Sequence, residues 1–107
     1  MIKPCVIGLG YVGLPILINL SKKYNCVGYD NNLNRIKDLT NGKDFFHEFK
    51  KKTLINKSVK YTNSLNIIKN FNLYIITVPT PILKNKTPDL KHLKNVCNNL
   101  SKIIKKE

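Results

Sequence analysis

Acidic residues are scarce in this 107-residue chain: six, against 19 lysines and arginines, for a formal net charge of +13. Arginine is scarcer still. Arg35 is the only one, so almost all of the positive charge is lysine. A basic balance of that size usually raises nucleic acid or an anionic membrane. Here the lysines are scattered, apart from Lys50-Lys51-Lys52. No arginine cluster and no interleaving of aromatic and basic residues suits a nucleic acid, so no nucleic-acid partner is expected. Lysine, asparagine and isoleucine are abundant together, as AT-rich codons would give. Phe45, Phe46 and Phe49 precede the lysine triplet and read as an amphipathic turn with a solvated face.

Other absences narrow the class. No apolar run reaches the roughly 20 residues of a membrane span, so no membrane partner is expected. The N-terminus enters an expected strand at once, and no secretory leader is expected. Cys5, Cys26 and Cys97 form no CxxC pair and sit among apolar residues. They read as reduced core thiols of a cytoplasmic protein, not as disulfides or metal ligands. His47 and His92 do not form a base or ligand pair and read as surface residues. There is no internal repeat and no low-complexity linker, and the length allows one domain at most.

What the chain does have is Gly8-Leu9-Gly10-Tyr11-Val12-Gly13, behind the apolar run Pro4-Cys5-Val6-Ile7 and ahead of Leu14-Pro15-Ile16-Leu17-Ile18. A second apolar run, Cys26-Val27-Gly28-Tyr29, ends on Asp30. Strand, glycine turn, helix, strand and acid is the order a dinucleotide needs. The first glycine allows a tight turn, and the second removes a side chain that would block a pyrophosphate. The third lets helix and strand pack closely. The helix N-terminus offers free N–H groups and the positive end of its dipole. A carboxylate at Asp30 accepts from the ribose hydroxyls and repels a 2′-phosphate, which favours NAD over NADP. The competing reading makes Asp30 a cap for the next helix, with Asn31 and Asn32 as helpers.

The rest of the chain alternates strands and helices. Strands are expected at 3–7, 25–30, 59–62 and 73–78, and helices at 11–23, 64–70 and from Asp89 onward, with a second helix where Leu33, Ile36 and Leu39 recur at helical spacing. Lys43 to Lys57 reads as a loop with a helical turn. Pro15 falls in the first turn of its helix, where a missing N–H is tolerated. Asn41-Gly42 ends the second helix. Leu73 to Val78 is the strongest strand and suits a buried parallel position. Leu90, Leu93, Cys97, Leu100 and Ile104 form the expected apolar stripe of the last helix, with Asp89 as its N-cap. The pattern predicts an α/β fold: a Rossmann-type parallel sheet, strand order 3-2-1-4, helices on both faces. The ligand crevice then lies between the ends of the first and fourth strands, at the reversal of strand order.

Three stretches together resemble the UDP-glucose/GDP-mannose dehydrogenase family over nearly the whole chain. They are Val6-Ile7-Gly8-Leu9-Gly10-Tyr11-Val12-Gly13-Leu14-Pro15, Gly28-Tyr29-Asp30 with Arg35-Ile36, and Ile75-Ile76-Thr77-Val78-Pro79-Thr80-Pro81 with Pro88-Asp89-Leu90. The Val-Pro-Thr-Pro wording looks more like the branch acting on UDP-N-acetylhexosamines. The resemblance implies NAD as cofactor, held by Gly8, Gly10, Tyr11, Val12, Gly13, Asp30, Arg35 and Thr80. Tyr11 and Val12 match the turn whose backbone meets the pyrophosphate. Arg35 matches a basic residue over the adenosine end, and Thr80 one beside the nicotinamide-side ribose. Asp44 and Glu48 fall where the family also carries acids, and no role is assigned to them.

The resemblance also implies what residues 1–107 lack. The family oxidises a sugar C6 alcohol to a uronate for surface polysaccharide synthesis, in two hydride transfers to two NAD. A cysteine in a Gly-x-Cys-x-Pro setting forms the covalent intermediates. Cys97 does not match that setting, so no catalytic residue is expected, and UDP-sugar binding requires the family's missing domain. The chain reads as a partial NAD-binding Rossmann domain, truncated before the fifth strand and inactive alone. Strand four is then an exposed edge, and marginal stability or association with another chain through that edge is expected. Two alternatives stand beside this reading: a stand-alone NAD-binding regulatory module without chemistry, and a basic nucleic-acid-binding protein.

Overall fold

A computed structural model of the chain describes residues 1–44, 49–77 and 90–103. Four short strands carry the fold: β1 (Pro4–Ile7), β2 (Cys26–Tyr29), β3 (Val59–Thr62) and β4 (Leu73–Ile76). All are parallel, in the order β3-β2-β1-β4. The helices are α1 (Gly13–Ser21), α2 (Leu33–Thr40), α3 (Lys51–Leu54), α4 (Leu65–Ile68) and α5 (Lys91–Ile103).

Alternation along the strands sends side chains to two apolar layers. On one face, Val6, Cys26 and Val59 meet Leu14, Leu17 and Ile18 of α1, Ile36 and Leu39 of α2 and Leu54 of α3. On the other, Cys5, Ile7 and Val27 meet Ile68 of α4 and Leu100 of α5. Gly28 has no side chain because Leu9 and Leu17 fill its space: a Cβ there would lie 2.5 Å from Leu17 Cδ2.

The helix ends follow local chemistry. The Asn32 side chain caps α2 by accepting from the Arg35 N–H at 3.2 Å. Gly42, at φ +77°, turns the chain back after α2 in the left-handed conformation that glycine adopts without strain. α1 is shorter than its apolar pattern predicts. Tyr11 and Val12 remain in the turn, and the helix begins at Gly13 without a side-chain cap.

Two expectations need correction. β4 is an apolar run but not a buried strand. It lies at the end of the sheet, as the expected order 3-2-1-4 requires, and pairs with β1 alone among the described residues; only the expected burial fails, with Leu73 exposed. The stripe of α5 is rotated from the expected one. Val96, Leu100 and Ile103 turn inward, while Leu90 and Cys97 are exposed. Both stripes have helical spacing and share Leu100, so periodicity alone does not choose between them. Cys97 is therefore not a core thiol, whereas Cys5 and Cys26 are buried. The expected cap Asp89 and stripe residue Ile104 lie outside the described residues.

Candidate functional site

β1 and β4 are neighbours, and α1 and α5 pack on opposite faces of the sheet, so a crevice opens beyond the carboxyl ends of the two strands. A cavity of about 680 Å³ occupies it. Its floor is Gly8 to Val12, one wall is Asp30 to Asn32, and the opposite wall is α5 through Asn95 and Asn99.

The glycines do different work. Gly8 has φ +95°, and a Cβ on it would lie 2.9 Å from the Thr77 carbonyl oxygen. A Cβ on Gly13 would overlap the Gly8 carbonyl oxygen and stand 2.5 Å from Thr77 Oγ1, so the start of α1 presses directly on the turn. At Gly10 a Cβ would meet nothing within 4 Å. Its missing side chain leaves room in the cavity rather than in the protein. Tyr11 and Val12 are mostly exposed, at 66% and 61%, with their side chains outward on the rim. Among the described residues, the N–H groups of Gly10, Val12 and Gly13 meet no acceptor. Free donors at the mouth of a helix are a ready anion site.

Three side chains fix the turn. Asp30 Oδ2 accepts the Leu9 N–H at 3.0 Å, and its Oδ1 accepts the Asn32 N–H at 2.9 Å. Asp30 thus ties the glycine turn to the entry of α2. It is not the cap of α2, which is Asn32. A carboxylate has about four acceptor positions, so two N–H bonds leave capacity for hydroxyl donors. Arg35 Nε donates to the Leu9 carbonyl at 2.8 Å, and its Nη1 meets Asp44 Oδ1 at 3.3 Å. Arg35 does not line the cavity; its guanidinium lies behind the turn. Thr77 Oγ1 donates to the Gly8 carbonyl at 2.7 Å from the end of β4.

The structure therefore brings Gly8, Gly10, Tyr11, Val12 and Asp30 to one cavity, sets Gly13 against its floor, and sets Arg35 behind it. Thr80, Glu48 and His47 lie outside the described residues. Sequence reasoning missed Thr77, Asp44, Asn95 and Asn99. The two asparagines are separated by one helical turn and flank the inward-facing Val96 and Leu100, a signal that the correct stripe would have carried. Asp44 is buried with a side chain 1% exposed, which no local pattern announces.

Burial pushes the Cys5 thiol up to about 12 and the Cys26 thiol to about 11, so neither is a nucleophile at neutral pH. Burial also raises the hydroxyl of Tyr29 beside Asp30, and the Asp30 carboxylate adds to the shift. Among the described residues no group of His, Cys, Asp and Glu is arranged to hold a metal. Nor is any helix there long and apolar enough to cross a membrane.

The sequence model of the UDP-glucose/GDP-mannose dehydrogenase family, NAD binding domain, matches residues 2–107. The chain belongs to this family. It is 40% identical over 106 residues to UDP-N-acetyl-D-glucosamine 6-dehydrogenase of Pseudomonas aeruginosa, covering 98% of this chain and 25% of that protein. It is 39% identical over 99 residues to Protein CapL of Staphylococcus aureus, covering 92% of this chain and 23% of that one. Among solved structures, UDP-D-ManNAc dehydrogenase of Pyrococcus horikoshii superposes with a TM-score of 0.86 at 29% identity, over 96% of this chain and 26% of that chain. The names of the Pseudomonas aeruginosa and Pyrococcus horikoshii proteins agree with the UDP-N-acetylhexosamine branch expected from the Val-Pro-Thr-Pro wording. The chain spans about a quarter of the length of the relatives it matches.

Proposed function

We propose that this chain is the NAD-binding part of a cytoplasmic nucleotide-sugar 6-dehydrogenase that oxidises the C6 alcohol of a UDP-N-acetylhexosamine to the uronate. The observation that carries the reading is the open Gly10 beside N–H groups that meet no acceptor among the described residues, facing the Asp30 carboxylate across one cavity. That arrangement fits a dinucleotide. The cavity lies within the roughly 300–1,000 Å³ of small-molecule sites. The N–H groups of Gly10, Val12 and Gly13 would receive the pyrophosphate, with the first turn of α1 adding its dipole. Asp30 would accept from the adenosine ribose hydroxyls with the capacity its two backbone bonds leave. NAD, when bound, accepts the substrate's hydride.

Gly8, Gly13, Tyr11 and Val12 shape and line the turn, and Thr80 is proposed beside the nicotinamide-side ribose. Within residues 1–107 we assign no catalytic residue. The UDP-sugar site and the nucleophilic cysteine belong to the part of the family that the chain does not span. Among the described residues β4 pairs with β1 alone and leaves Leu73 exposed, which supports association with a further strand.

Titration of NADH fluorescence tests the cofactor reading. NADH is expected to bind more tightly than NADPH, and Asp30→Ala is expected to weaken NADH. Wild-type protein that leaves NADH fluorescence unchanged would overturn the proposal.

A further inference from the structure

We infer that Arg35 and Asp44 are positioning residues for pyrophosphate binding, acting on one peptide plane. The inference rests on the cofactor reading above. A trans peptide is planar, so its carbonyl and N–H point in opposite directions. Three successive peptides make the glycine turn. In the Ile7–Gly8 peptide, the carbonyl accepts from the Thr77 N–H at 2.8 Å and the N–H donates to the Tyr29 carbonyl at 2.8 Å. In the Gly8–Leu9 peptide, the carbonyl accepts from Thr77 Oγ1 and the N–H donates to Asp30. Both are held on both sides.

The Leu9–Gly10 peptide is different. Its carbonyl accepts from Arg35 Nε, and its N–H meets no acceptor among the described residues. With the carbonyl pinned behind the turn, planarity aims the Gly10 N–H away from Arg35, toward the cavity. This is also the peptide most able to rotate, because Gly10 has no side chain and open space around it. Rotation by half a turn would present a carbonyl oxygen to an anion instead of a donor. Arg35 opposes that rotation.

Asp44 holds Arg35 in place. Its Oδ1 meets Nη1 at 3.3 Å, and its Oδ2 accepts the Phe49 N–H at 3.2 Å. Gly42 brings Asp44 back under α2, with the Lys43 N–H donating to the Asp38 carbonyl at 2.7 Å. Arg35 also closes a ring: its backbone N–H bonds the Asn32 side chain, and the Asn32 N–H bonds Asp30. The sole arginine of the chain is thus spent behind the turn, where a fixed fork is needed and a lysine's single flexible ammonium would not serve.

The test compares ligands with and without the diphosphate, using the full chain and its variants. Isothermal titration with ADP and with adenosine is measured for wild type, Arg35→Gln and Asp44→Asn. Arg35→Gln is expected to weaken ADP by about tenfold and to leave adenosine within about twofold, because only the diphosphate needs the oriented donor. The Gly10 amide resonance, followed by 15N NMR, is expected to lose its shift on ADP addition. An Arg35 that contacts adenosine directly would instead weaken both ligands together, which overturns the inference.

Asp44→Asn keeps the shape and keeps Arg35, so it is expected to weaken ADP by about threefold. It serves as the deciding variant if Arg35→Gln does not fold, and ADP binding equal to wild type then overturns the inference. Wild type that binds neither NADH nor ADP overturns the cofactor reading. Wild type that binds both, with variants unchanged, overturns the peptide clamp alone.

Discussion

The two ends of the sheet carry cavities of similar size and opposite character. The one at the carboxyl ends holds about 680 Å³ and the one at the amino ends about 570 Å³. Size does not separate them. At the amino end, Lys3, Lys22, Lys23, Lys57 and Lys60 line the space, and among the described residues no acid does. Polar groups there satisfy one another: Asn72 Oδ1 accepts the Lys3 N–H at 2.7 Å, and its Nδ2 donates to the Met1 carbonyl at 2.7 Å. At the carboxyl end, buried or half-buried side chains pin the turn and leave donors open. Parallel topology explains the asymmetry. Helix N-termini face the carboxyl end and helix C-termini the other, where the last carbonyls of α1 are already taken: Ile18 by Ser21 Oγ, Asn19 by the Lys22 N–H, and Leu20 by the Lys23 and Tyr24 N–H groups. Among the described residues, the N–H groups of Gly10, Val12 and Gly13 at the carboxyl end meet no acceptor, and open donors at a helix N-terminus suit an anion.

The strongest way to break this comparison is at the close contact that builds the turn. Gly13→Ala places a methyl on the Gly8 carbonyl, with Thr77 behind it. Backbone cannot yield there as a flexible side chain would. A loss of about 3 kcal/mol or more in urea denaturation is expected, enough to leave a small domain largely unfolded. Gly10→Ala is the matched control. Its methyl meets only open space, so stability should stay within about 1 kcal/mol while NADH affinity falls, because the methyl occupies ligand room. If Gly10→Ala were as destabilising as Gly13→Ala, the cavity floor would not be open as described.

Asp30→Ala comes next. It strands the Leu9 and Asn32 N–H groups and removes the proposed ribose acceptor. Stability is expected to fall by about 1–3 kcal/mol in the same melts, and NADH affinity by about tenfold or more. Loss of stability with unchanged NADH affinity would reduce Asp30 to a tie between turn and helix.

Much of this was legible in the residues, and the exceptions share a cause. The glycine spacing, the acid after β2, and the Asn41-Gly42 stop are local signals: Gly8 and Asp30 border one cavity, and α2 ends at Thr40 with Gly42 in the left-handed conformation. The order 3-2-1-4 followed from alternating elements and the handedness of crossovers. Three things were not legible. Arg35 looked like a ligand contact, because nothing local shows that Leu9, 26 positions earlier, lies within 2.8 Å. Asp44 stood unassigned because its partners are set by the reversal at Gly42. Cys97 was misplaced because α5 permits two apolar stripes, and only packing on Cys5, Ile7 and Val27 selects one. Patterns repeat along the chain; contacts between distant elements do not.

The amino end offers smaller effects that sharpen the comparison. If its lysines are only solvated rim charges, the double change Lys22→Ala and Lys23→Ala should leave NADH affinity within about twofold, since such charges contribute little. A drop as large as that of Asp30→Ala would place the anion at the wrong end of the sheet.

The thiols report on the same end with the least perturbation. Cys26 borders the amino-end cavity yet is only 4% exposed, with its Sγ donating to the Leu17 and Ser58 carbonyls at 3.6 Å. At pH 8 a thiol reagent should modify one cysteine rapidly, the exposed Cys97, and Cys5 and Cys26 only on unfolding. Their titration fixes a sign as well. Burial raises Cys5 from the ordinary 9.0 to about 12 and Cys26 to about 11, so above pH 9 the unfolded chain loses protons that the folded chain keeps. Stability contributed by the neutral buried thiols is then complete below pH 9 and falls as pH rises toward 12. Urea melts of wild type and Cys26→Ala across that range isolate the contribution, because the variant should fall less steeply. Rapid modification of Cys26 at pH 8 would mean that the amino-end cavity opens to solvent, and that this end is less closed on itself than its hydrogen bonds indicate.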